Sequence, residues 1–499
     1  MKNKRFIKNA VGLSLIAALF FSQGCKKSFL NATPATSVKA TQFWQTSADA
    51  TSAINSMYAD LHNWNDIAFA PIALESMGSD DVDKGSTTND ASFMNEYHFF
   101  TVTSGEGQLD GFWTGMYNNI NFANQIITNI PAINMDASLK ARYIAEATFI
   151  RAYDYFRLVR AFGDVPLVLH PPKSAAEFNV PRTPKAQVWA QIETDLTAAA
   201  SVLPTTYSSA DIGHVTKGAA LALHAKVALY QKKWADVVTY TNDVTALNIY
   251  SLFPDYEKMF RTTNKNNVES IFEIQCMLIP NNPGASNSQY SQVQMPRGTE
   301  PATGWGFNVP SASLVAEFEA GDPRLAGTVI YTGQTTPEGD LIDANDPNPY
   351  YNLKSYVPFA LYVSGFNQGC QQDKIVLRYA EVLLMNAEAN NELGNTAAAL
   401  ASLEKVRARA REGNANILPA VTTTDQGALR TAIYHERRVE LGMEFDRHFD
   451  VIRQGRGAAV FGPSNIPGSQ YVVGKSELWP IPQNEIDLSA GTLVQNPGY

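Results

Sequence analysis

Cysteine is scarce in this chain, which contains three cysteines among 499 residues. That count excludes a small secreted domain held together by a dense disulfide framework. Long hydrophobic runs are also missing, because after the first 24 residues no segment is long and apolar enough to span a bilayer. The formal net charge is −9, and no basic cluster with interleaved aromatic residues occurs, so we expect no nucleic acid partner.

Motifs typical of common enzyme classes are absent as well. His435-Glu436 is not followed by a second histidine at the spacing of a zinc-binding helix. The sequence contains no glycine-rich phosphate loop and no nucleophile elbow. The acidic stretch 340–346 lacks the glycine and the closing glutamate of a calcium loop, so we interpret it as a solvated loop. We therefore predict no metal site and no cofactor.

The N-terminus has the pattern of a bacterial lipoprotein leader. A short apolar run, 10–21, follows four basic residues, and Ser22-Gln23-Gly24-Cys25 comes directly after it. The run is too short for a stable membrane-spanning helix. We predict a signal peptide over 1–24, lipidation of Cys25 and a tether over 25–45. An ordinary secretory peptide followed by a chance cysteine is the alternative.

The two remaining cysteines are Cys276 and Cys370. Cys276 lies in 270–279, where apolar residues alternate with more polar ones, so we predict a strand in which its thiol is buried. A bridge between the two cysteines is compatible with an oxidising compartment, but the sequence does not decide whether it forms.

Helical periodicity organises both ends of the chain. The clearest unit is a hairpin over 373–411, in which Gly394-Asn395 separates two apolar stripes. Such a hairpin does not bury its own apolar face, so neighbours of the same kind are expected. Apolar stripes over 46–247 supply these neighbours, and a last long helix is predicted over 425–454.

The centre of the chain has a different character. Pro, Gly and Asn become frequent over 248–372, and another loop-rich segment lies at 75–111. Loops of such length inside a compact domain are usually functional. The C-terminal segment 455–499 is irregular, with a strand-like stretch at 476–482.

These segments combine into one predicted domain, 46–499. Its scaffold of helical repeats spans 46–247 and 373–454, and its loop-rich binding face is built from 75–111 and 248–372. The predicted fold class is therefore mainly α, with a few short strands and an irregular face.

Several long motifs resemble the SusD/RagB family of outer-membrane lipoproteins. The stretch 145–167 is similar to the central helix of that family, and 373–393 is similar to its later repeat helix. Residues 436–450 resemble its C-terminal helix. Residues 478–485 resemble its closing segment, and 25–30 resemble its mature N-terminus. Motifs in the order of the family thus extend over nearly the whole chain.

The resemblance implies a tetratricopeptide-like helical scaffold and non-catalytic nutrient binding. It also implies a lipid-anchored position at the cell outer membrane, facing outward, and pairing with a SusC-like TonB-dependent transporter. The expected ligand is a glycan, and a peptide taken up in the same way is the alternative.

Aromatic residues on loops are the candidate ligand contacts. Trp305 lies between Gly304 and Gly306, outside every apolar stripe, so its ring is a candidate for stacking on a sugar. Polar side chains beside an exposed ring would orient that sugar. The candidate contacts are Trp305, Tyr290, Arg297, Tyr97, Asp81 and Trp64. For each aromatic ring, the alternative is a loop residue anchored to the core.

Glu436 and Glu440 form a constellation that permits an enzyme. They lie four residues apart on the last predicted helix and share one face of it. Two carboxylates suit acid/base chemistry in an extracytoplasmic glycoside hydrolase. They equally suit a semi-buried pair neutralised by arginines, for which the candidates are Arg437, Arg447 and Arg151. We favour the structural role and predict a non-catalytic binding protein.

Overall fold

The computed structural model describes residues 43–174, 177–279, 289–298, 304–361 and 371–499. Its helices are α1 (Ser47–Asp60), α2 (Trp64–Ile67), α3 (Phe69–Pro71), α4 (Met94–His98), α5 (Gly107–Asn129), α6 (Ala137–Phe162), α7 (Lys185–Val202), α8 (Lys217–Tyr230), α9 (Trp234–Ala246), α10 (Tyr256–Met259), α11 (Tyr290–Gln294), α12 (Ala312–Glu317), α13 (Arg324–Thr328), α14 (Tyr379–Glu392), α15 (Thr396–Ala410), α16 (Gln426–Leu441), α17 (Arg447–Arg453), α18 (Gly457–Phe461) and α19 (Gln483–Leu488). A π-helical segment, Ile72–Met77, follows α3.

Its strands are short. They are β1 (Val82–Gly85), β2 (Val165–Pro166), β3 (Arg182–Thr183), β4 (Ser270–Ile274), β5 (Phe307–Pro310), β6 (Val329–Tyr331), β7 (Tyr350–Asn352) and β8 (Lys374–Arg378). All of them pair in two-stranded antiparallel sheets. Regular structure in the described residues is therefore mainly helical, as the sequence predicts.

The long helices pack against one another in chain order. α5 contacts α6, α6 contacts α7, α7 contacts α8, and α8 contacts α9. α9 then contacts α14, which also packs against α15 and α16. Apolar stripes fill the space between the helices, and Phe149 and Phe156 of α6 are buried there. Each helix thus buries its apolar face against a neighbour, which is how helical repeats gain stability.

Several helix ends follow local rules that the sequence shows. The Thr46 hydroxyl accepts a hydrogen bond from the backbone N–H of Asp49, and the Asp49 carboxylate accepts one from that of Thr46. This reciprocal capping box begins α1. Gly163 after α6 and Gly394 after α14 have φ values of 75° and 78°, a conformation that favours glycine.

Two helix boundaries were predicted wrongly. Residues 374–378, expected to begin the helical hairpin, form β8 and pair with β4. The last long helix is interrupted between α16 and α17, where Met443 and Phe445 have φ values of 70° and 73°. Non-glycine residues rarely adopt that conformation, so neither the residue types nor the apolar periodicity of 425–454 predicted a break here.

The sheets connect the irregular segments to the scaffold and to each other. β4 and β8 bring together the two ends of the central insertion, 275–373. β1 pairs with β5, with Val82 opposite Pro310, and so joins the segment 75–111 to that insertion. The two loop-rich segments are therefore hydrogen-bonded to each other.

Some predicted loops and strands have a different conformation. The segment 75–111 contains β1 and α4, and α5 already begins at Gly107. The stretch 476–482 is not a strand. Trp479 in it is 1% exposed, and its indole N–H donates to the carbonyl oxygen of Leu74 at 3.0 Å. Most apolar residues of this stretch are thus buried against the core without any strand pairing.

Several predictions fall on residues outside the described ranges. These residues include the leader and tether up to residue 42, with Cys25, and also Cys370. Cys276 is 2% exposed, so the predicted burial of its thiol is confirmed, but β4 ends at Ile274 and Cys276 lies just outside it. The bridge stays a prediction. Within the described ranges, we find no helix with the length and apolarity that crossing a membrane requires.

Candidate functional site

Trp305 lies on the irregular face, in the segment that leads into β5. Its backbone N–H donates to the carbonyl oxygen of Gln292 at 2.8 Å, and that of Gly306 donates to Met295 at 3.0 Å. A Cβ added to Gly304 would collide with the backbone of Met295, and Gly306 has a φ of 70°. Both glycines are needed because the segment passes so close to the end of α11.

Trp305 belongs to a cluster of five aromatic side chains. Its ring centroid lies 5.9 Å from that of Trp64 and 6.1 Å from that of Phe69. Phe69 also stacks on Trp64 at 5.1 Å and meets the edge of Phe307 at 5.1 Å. Phe93 lies 5.9 Å from Phe69. We call Trp64, Phe69, Phe93, Trp305 and Phe307 the aromatic platform.

The aromatic platform has a buried layer and a partly exposed layer. Phe69 and Phe307 are buried at 6% and 2% exposure. Trp64, Phe93 and Trp305 are half-buried and pack against the hydrophobic core. The inner rings therefore hold the outer rings in place, and the outer rings keep apolar area in contact with solvent. Such rigid aromatic surfaces suit a ligand that has a flat apolar face.

Arg297 lies beside the platform and is about one-third exposed. One of its guanidinium nitrogens, Nη1, donates to the Asp90 carboxylate at 2.7 Å, to the Ser86 hydroxyl at 2.9 Å and to the Trp305 carbonyl oxygen at 3.3 Å. Arg297 thereby links the segment after β1 to the platform. Among the described residues its Nε and Nη2 groups donate no hydrogen bond, so they remain available as donors at the edge of the platform.

Three of the candidate contacts are buried and do not belong to the platform. Tyr97 is 0% exposed, and its hydroxyl donates to Glu106. Tyr290 is 6% exposed, and its ring lies 6.0 Å from that of Phe445. The structure therefore places both rings as core anchors, the alternative that the sequence left open.

Asp81 is the third buried candidate, at 3% exposure. Its carboxylate accepts a hydrogen bond from Nε of Arg438 at 2.8 Å. Burial raises the pKa of Asp81, although the guanidinium groups of Arg438 and Arg447 oppose this effect. With an ion pair already formed and little exposure, Asp81 is not placed to contact a ligand on the platform.

The structure adds platform residues that the sequence did not suggest. Phe69, Phe93 and Phe307 complete the platform, and Asp90 accepts from Arg297. Phe307 shares the glycine-flanked segment of Trp305, which was a usable hint. Phe69 offered none, because only tertiary packing brings the α2–α3 region against β5.

Glu436 and Glu440 lie on α16 and are both 0% exposed. The Glu436 carboxylate accepts hydrogen bonds from Arg324 at 2.5 Å and from Arg407 at 2.7 Å. The Glu440 carboxylate accepts from Arg324 at 3.0 Å, from Arg378 at 2.6 Å and from Arg409. We call these two glutamates and their four arginine partners the buried ionic cluster.

The three arginines named from the sequence have other partners. Arg437 donates to Glu381 and Asp450, Arg447 donates to Asp80, and Arg151 donates to Asp195. The role expected for the glutamates is thus supported, but the residues that neutralise them were predicted wrongly. Those residues come from α13, β8 and α15, which the sequence gave no reason to bring together.

The electrostatics of Glu440 also suit a structural role. Burial opposes ionisation, but the guanidinium groups of Arg409, Arg378 and Arg324 outweigh it and hold the pKa of Glu440 far below its usual range. A general acid for glycoside hydrolysis needs a raised pKa and access to the leaving group. Glu440 has neither property.

Asp340, at the start of the acidic stretch 340–346, accepts hydrogen bonds from the segment 356–359. The Asp340 carboxylate accepts from the Tyr356 hydroxyl at 2.6 Å and from the backbone N–H of Phe359 at 2.9 Å. The described part of the chain contains no group of three or more His, Cys, Asp or Glu side chains that could hold a metal ion.

Comparison with known proteins finds two family models and several relatives that match this chain. A family model described as "SusD family" matches residues 268–499, and one described as "Starch-binding associating with outer membrane" matches residues 28–229. Together they match most of the first part of the helical scaffold and all of the second. The SusD-like protein P2 of Formosa agariphila is 29% identical to this chain, over 98% of this chain and 99% of that protein.

Solved structures agree with these matches. A structure described as "Laminarin binding SusD-like protein" has a TM-score of 0.77 and 28% identity, and it covers 91% of this chain and 100% of that chain. A SusD-like protein from Bacteroides fragilis has a TM-score of 0.78 and 24% identity, with coverage of 94% and 100%. The predicted mainly α, SusD-like fold is confirmed.

Proposed function

We propose that this chain, which belongs to the SusD family, binds a glycan on the aromatic platform at the cell outer membrane. The observation that carries the proposal is the meeting of two half-buried indoles, Trp64 and Trp305, from distant parts of the sequence. Phe69 and Phe307 support them from the core side. Rings held in this way lose little side-chain entropy when a ligand stacks on them.

The chemistry of the platform fits an uncharged or weakly charged sugar. The apolar face of a sugar ring stacks on an indole, and its hydroxyl groups take hydrogen bonds from polar groups at the edge. Arg297 and Asp90, paired at 2.7 Å, supply donors and acceptors beside Trp305. Similarity to a laminarin-binding protein supports a glycan and makes laminarin the first ligand to test.

Binding without catalysis is part of the proposal. The carboxylate pair that would suit a hydrolase, Glu436 and Glu440, is buried and neutralised by arginines. A binding protein does not move its ligand across a membrane by itself. The proposal therefore includes delivery of the glycan to a SusC-like TonB-dependent transporter, with Cys25 as the lipid anchor that keeps the protein at the membrane.

Replacing Trp305 by alanine tests the binding site. Trp305→Ala should weaken laminarin binding about tenfold or more, because loss of one stacking ring costs roughly 1–3 kcal/mol by analogy with aromatic–base stacking. Isothermal titration calorimetry measures the affinity, and thermal unfolding reports the fold. The matched control is Trp234→Ala, which removes a half-buried tryptophan of α9 outside the platform. Equal affinities of wild type and both variants for laminarin would place the site elsewhere.

A membrane preparation tests the anchor and the partner. Cys25→Ala should shift the protein from the membrane fraction to the soluble fraction, whereas the control Cys276→Ala, which alters a buried thiol, should stay in the membrane. Wild type purified by affinity from detergent-solubilised membranes should carry a TonB-dependent transporter with it. A membrane-bound Cys25→Ala protein would refute the anchor, and purification without any such transporter would refute the partner.

A further inference from the structure

The interruption between α16 and α17 creates a cavity rich in arginine. Arg430 and Arg438 lie on α16, Arg447 begins α17, and Arg456 follows it. All four line one cavity of about 380 Å³, together with His435 and Glu317. A helix that continued straight past residue 441 would not return Arg447 and Arg456 to the face that carries Arg430 and Arg438. We call this space the arginine cavity.

Arg438 is engaged by its neighbours at all three guanidinium nitrogens. Its guanidinium donates to Asp81 at 2.8 Å, to Glu317 at 2.7 Å and to the Ser313 hydroxyl at 2.9 Å. It also forms an ion pair with Asp80 at 2.9 Å. Arg438 therefore uses all three guanidinium nitrogens on these partners and contributes mainly structure and positive charge to the cavity.

Arg430 and Arg447 each use only one edge of the guanidinium. Arg447 donates from Nε and Nη2 to Asp80 at 2.8 and 2.9 Å. Arg430 donates in the same bidentate way to Glu392. Among the described residues, the Nη1 group of each makes no hydrogen bond. Each side chain thus keeps two N–H donors on the nitrogen that no carboxylate occupies.

Arg456 has no counter-ion within ion-pair distance in the described part of the chain. Its one hydrogen bond there runs from Nη1 to the Gln454 side chain at 3.2 Å, and its guanidinium lies 5.5 Å from the centre of the Tyr434 ring. Burial and the nearby charge of Arg447 lower the pKa of Arg456. Arg456 is thus a half-buried cation beside other cations, and its Nε and Nη2 groups make no hydrogen bond among the described residues. An anion in the cavity would compensate this charge.

We propose that the arginine cavity binds a tetrahedral oxyanion, sulfate or phosphate, free or esterified to a molecule of sugar size. The spare donors come from three side chains that start at different places, so acceptors are needed in several directions. Sulfate and phosphate offer oxygens in four directions, whereas a carboxylate offers two in one plane. The volume lies within the range of small-molecule sites, about 300–1,000 Å³, and leaves room for a sugar that carries the ester.

Calorimetric titration of the purified protein with sodium sulfate tests the proposal. Sodium chloride at equal ionic strength is the reference, because it reports charge screening alone. Sulfate should bind with measurable affinity, and Arg456→Gln should weaken that binding about tenfold, since a lost charge-assisted hydrogen-bond set costs at least this much. Arg430→Gln, which alters a side chain that is 34% exposed, should weaken it in the same direction without loss of the fold.

Two control variants show whether sulfate binds in the arginine cavity. Arg411→Gln is the matched control, because Arg411 pairs with Glu404 and does not line the cavity. It should bind sulfate like wild type, and so should Trp305→Ala, which separates this site from the glycan platform. Equal sulfate affinity in wild type, Arg456→Gln and Arg430→Gln would overturn the proposal.

Glucose 6-sulfate and glucose 6-phosphate distinguish the two sources of the oxyanion. Either ester binding more tightly than the corresponding inorganic ion, with glucose itself showing no competition, would identify an esterified ligand. Equal affinity of ester and inorganic ion would identify the free ion. Failure of both esters and both inorganic ions to bind wild-type protein would contradict the site altogether.

Discussion

Glu440→Gln should lower the free energy of unfolding by about 3–5 kcal/mol, the usual cost of removing one partner from a buried ion pair. Glu440 is 0% exposed and accepts hydrogen bonds from Arg324, Arg378 and Arg409. Glutamine keeps the shape but loses the charge, and its NH2 group adds a donor where only acceptors are useful. The positive charges of three buried guanidinium groups would then be less well neutralised. Because these groups and Glu440 lie on α13, β8, α15 and α16, the contacts among all four elements would weaken.

Chemical denaturation measures this effect, and Glu404→Gln is its matched control. Glu404 pairs with Arg411 at the surface and is 39% exposed, so its substitution should change stability by about 0–1 kcal/mol. Equal midpoints for Glu440→Gln and wild type would show that the buried ionic cluster contributes little. The variant also tests the enzymatic alternative, because loss of a measured hydrolysis in a protein that stays folded would return Glu440 to a catalytic role.

The buried ionic cluster marks the limit of what periodicity predicts. The sequence placed Glu436 and Glu440 on one helix face, since that relation depends only on spacing along α16. The partners Arg324, Arg378 and Arg409 lie far away in the chain. Their arrival depends on how β8 pairs with β4 and how α15 packs on α14, which local patterns do not encode.

The helical scaffold was more predictable than the irregular face for the same reason. Stripes on α5 and α6 repeat at helical spacing because each helix buries one face. At 374–378 the same kind of apolar residues form a strand, since the pairing with β4 overrides local preference. At 442–446 the chain adopts unusual dihedral angles that its residue types do not announce.

Two rings of the aromatic platform, Trp305 and Trp64, were among the candidate contacts. Trp305 stood out because flanking glycines excluded it from any helix stripe, and Trp64 stood out at a helix end. Their meeting at 5.9 Å could not be inferred, because no local rule relates residues that far apart in the chain. Tyr97 and Asp81 were interpreted as loop residues. Tyr97 is instead a buried residue of α4, and Asp81 is buried in an ion pair with Arg438.

Phe156→Ala should destabilise the protein by about 3–5 kcal/mol, because it removes a large ring from the middle of the scaffold. Phe156 is 2% exposed, and its ring meets those of Tyr230 on α8 and Trp189 on α7 at 5.2 and 6.0 Å. The substitution would therefore leave a cavity between three helices, and the surrounding backbone could not easily move to close it. Thermal unfolding measures the change against Phe178→Ala, in which a 70% exposed ring is lost and stability should shift by no more than about 0.5 kcal/mol. If both variants melted at the wild-type temperature, the contacts between α6, α7 and α8 would not be what stabilises the scaffold.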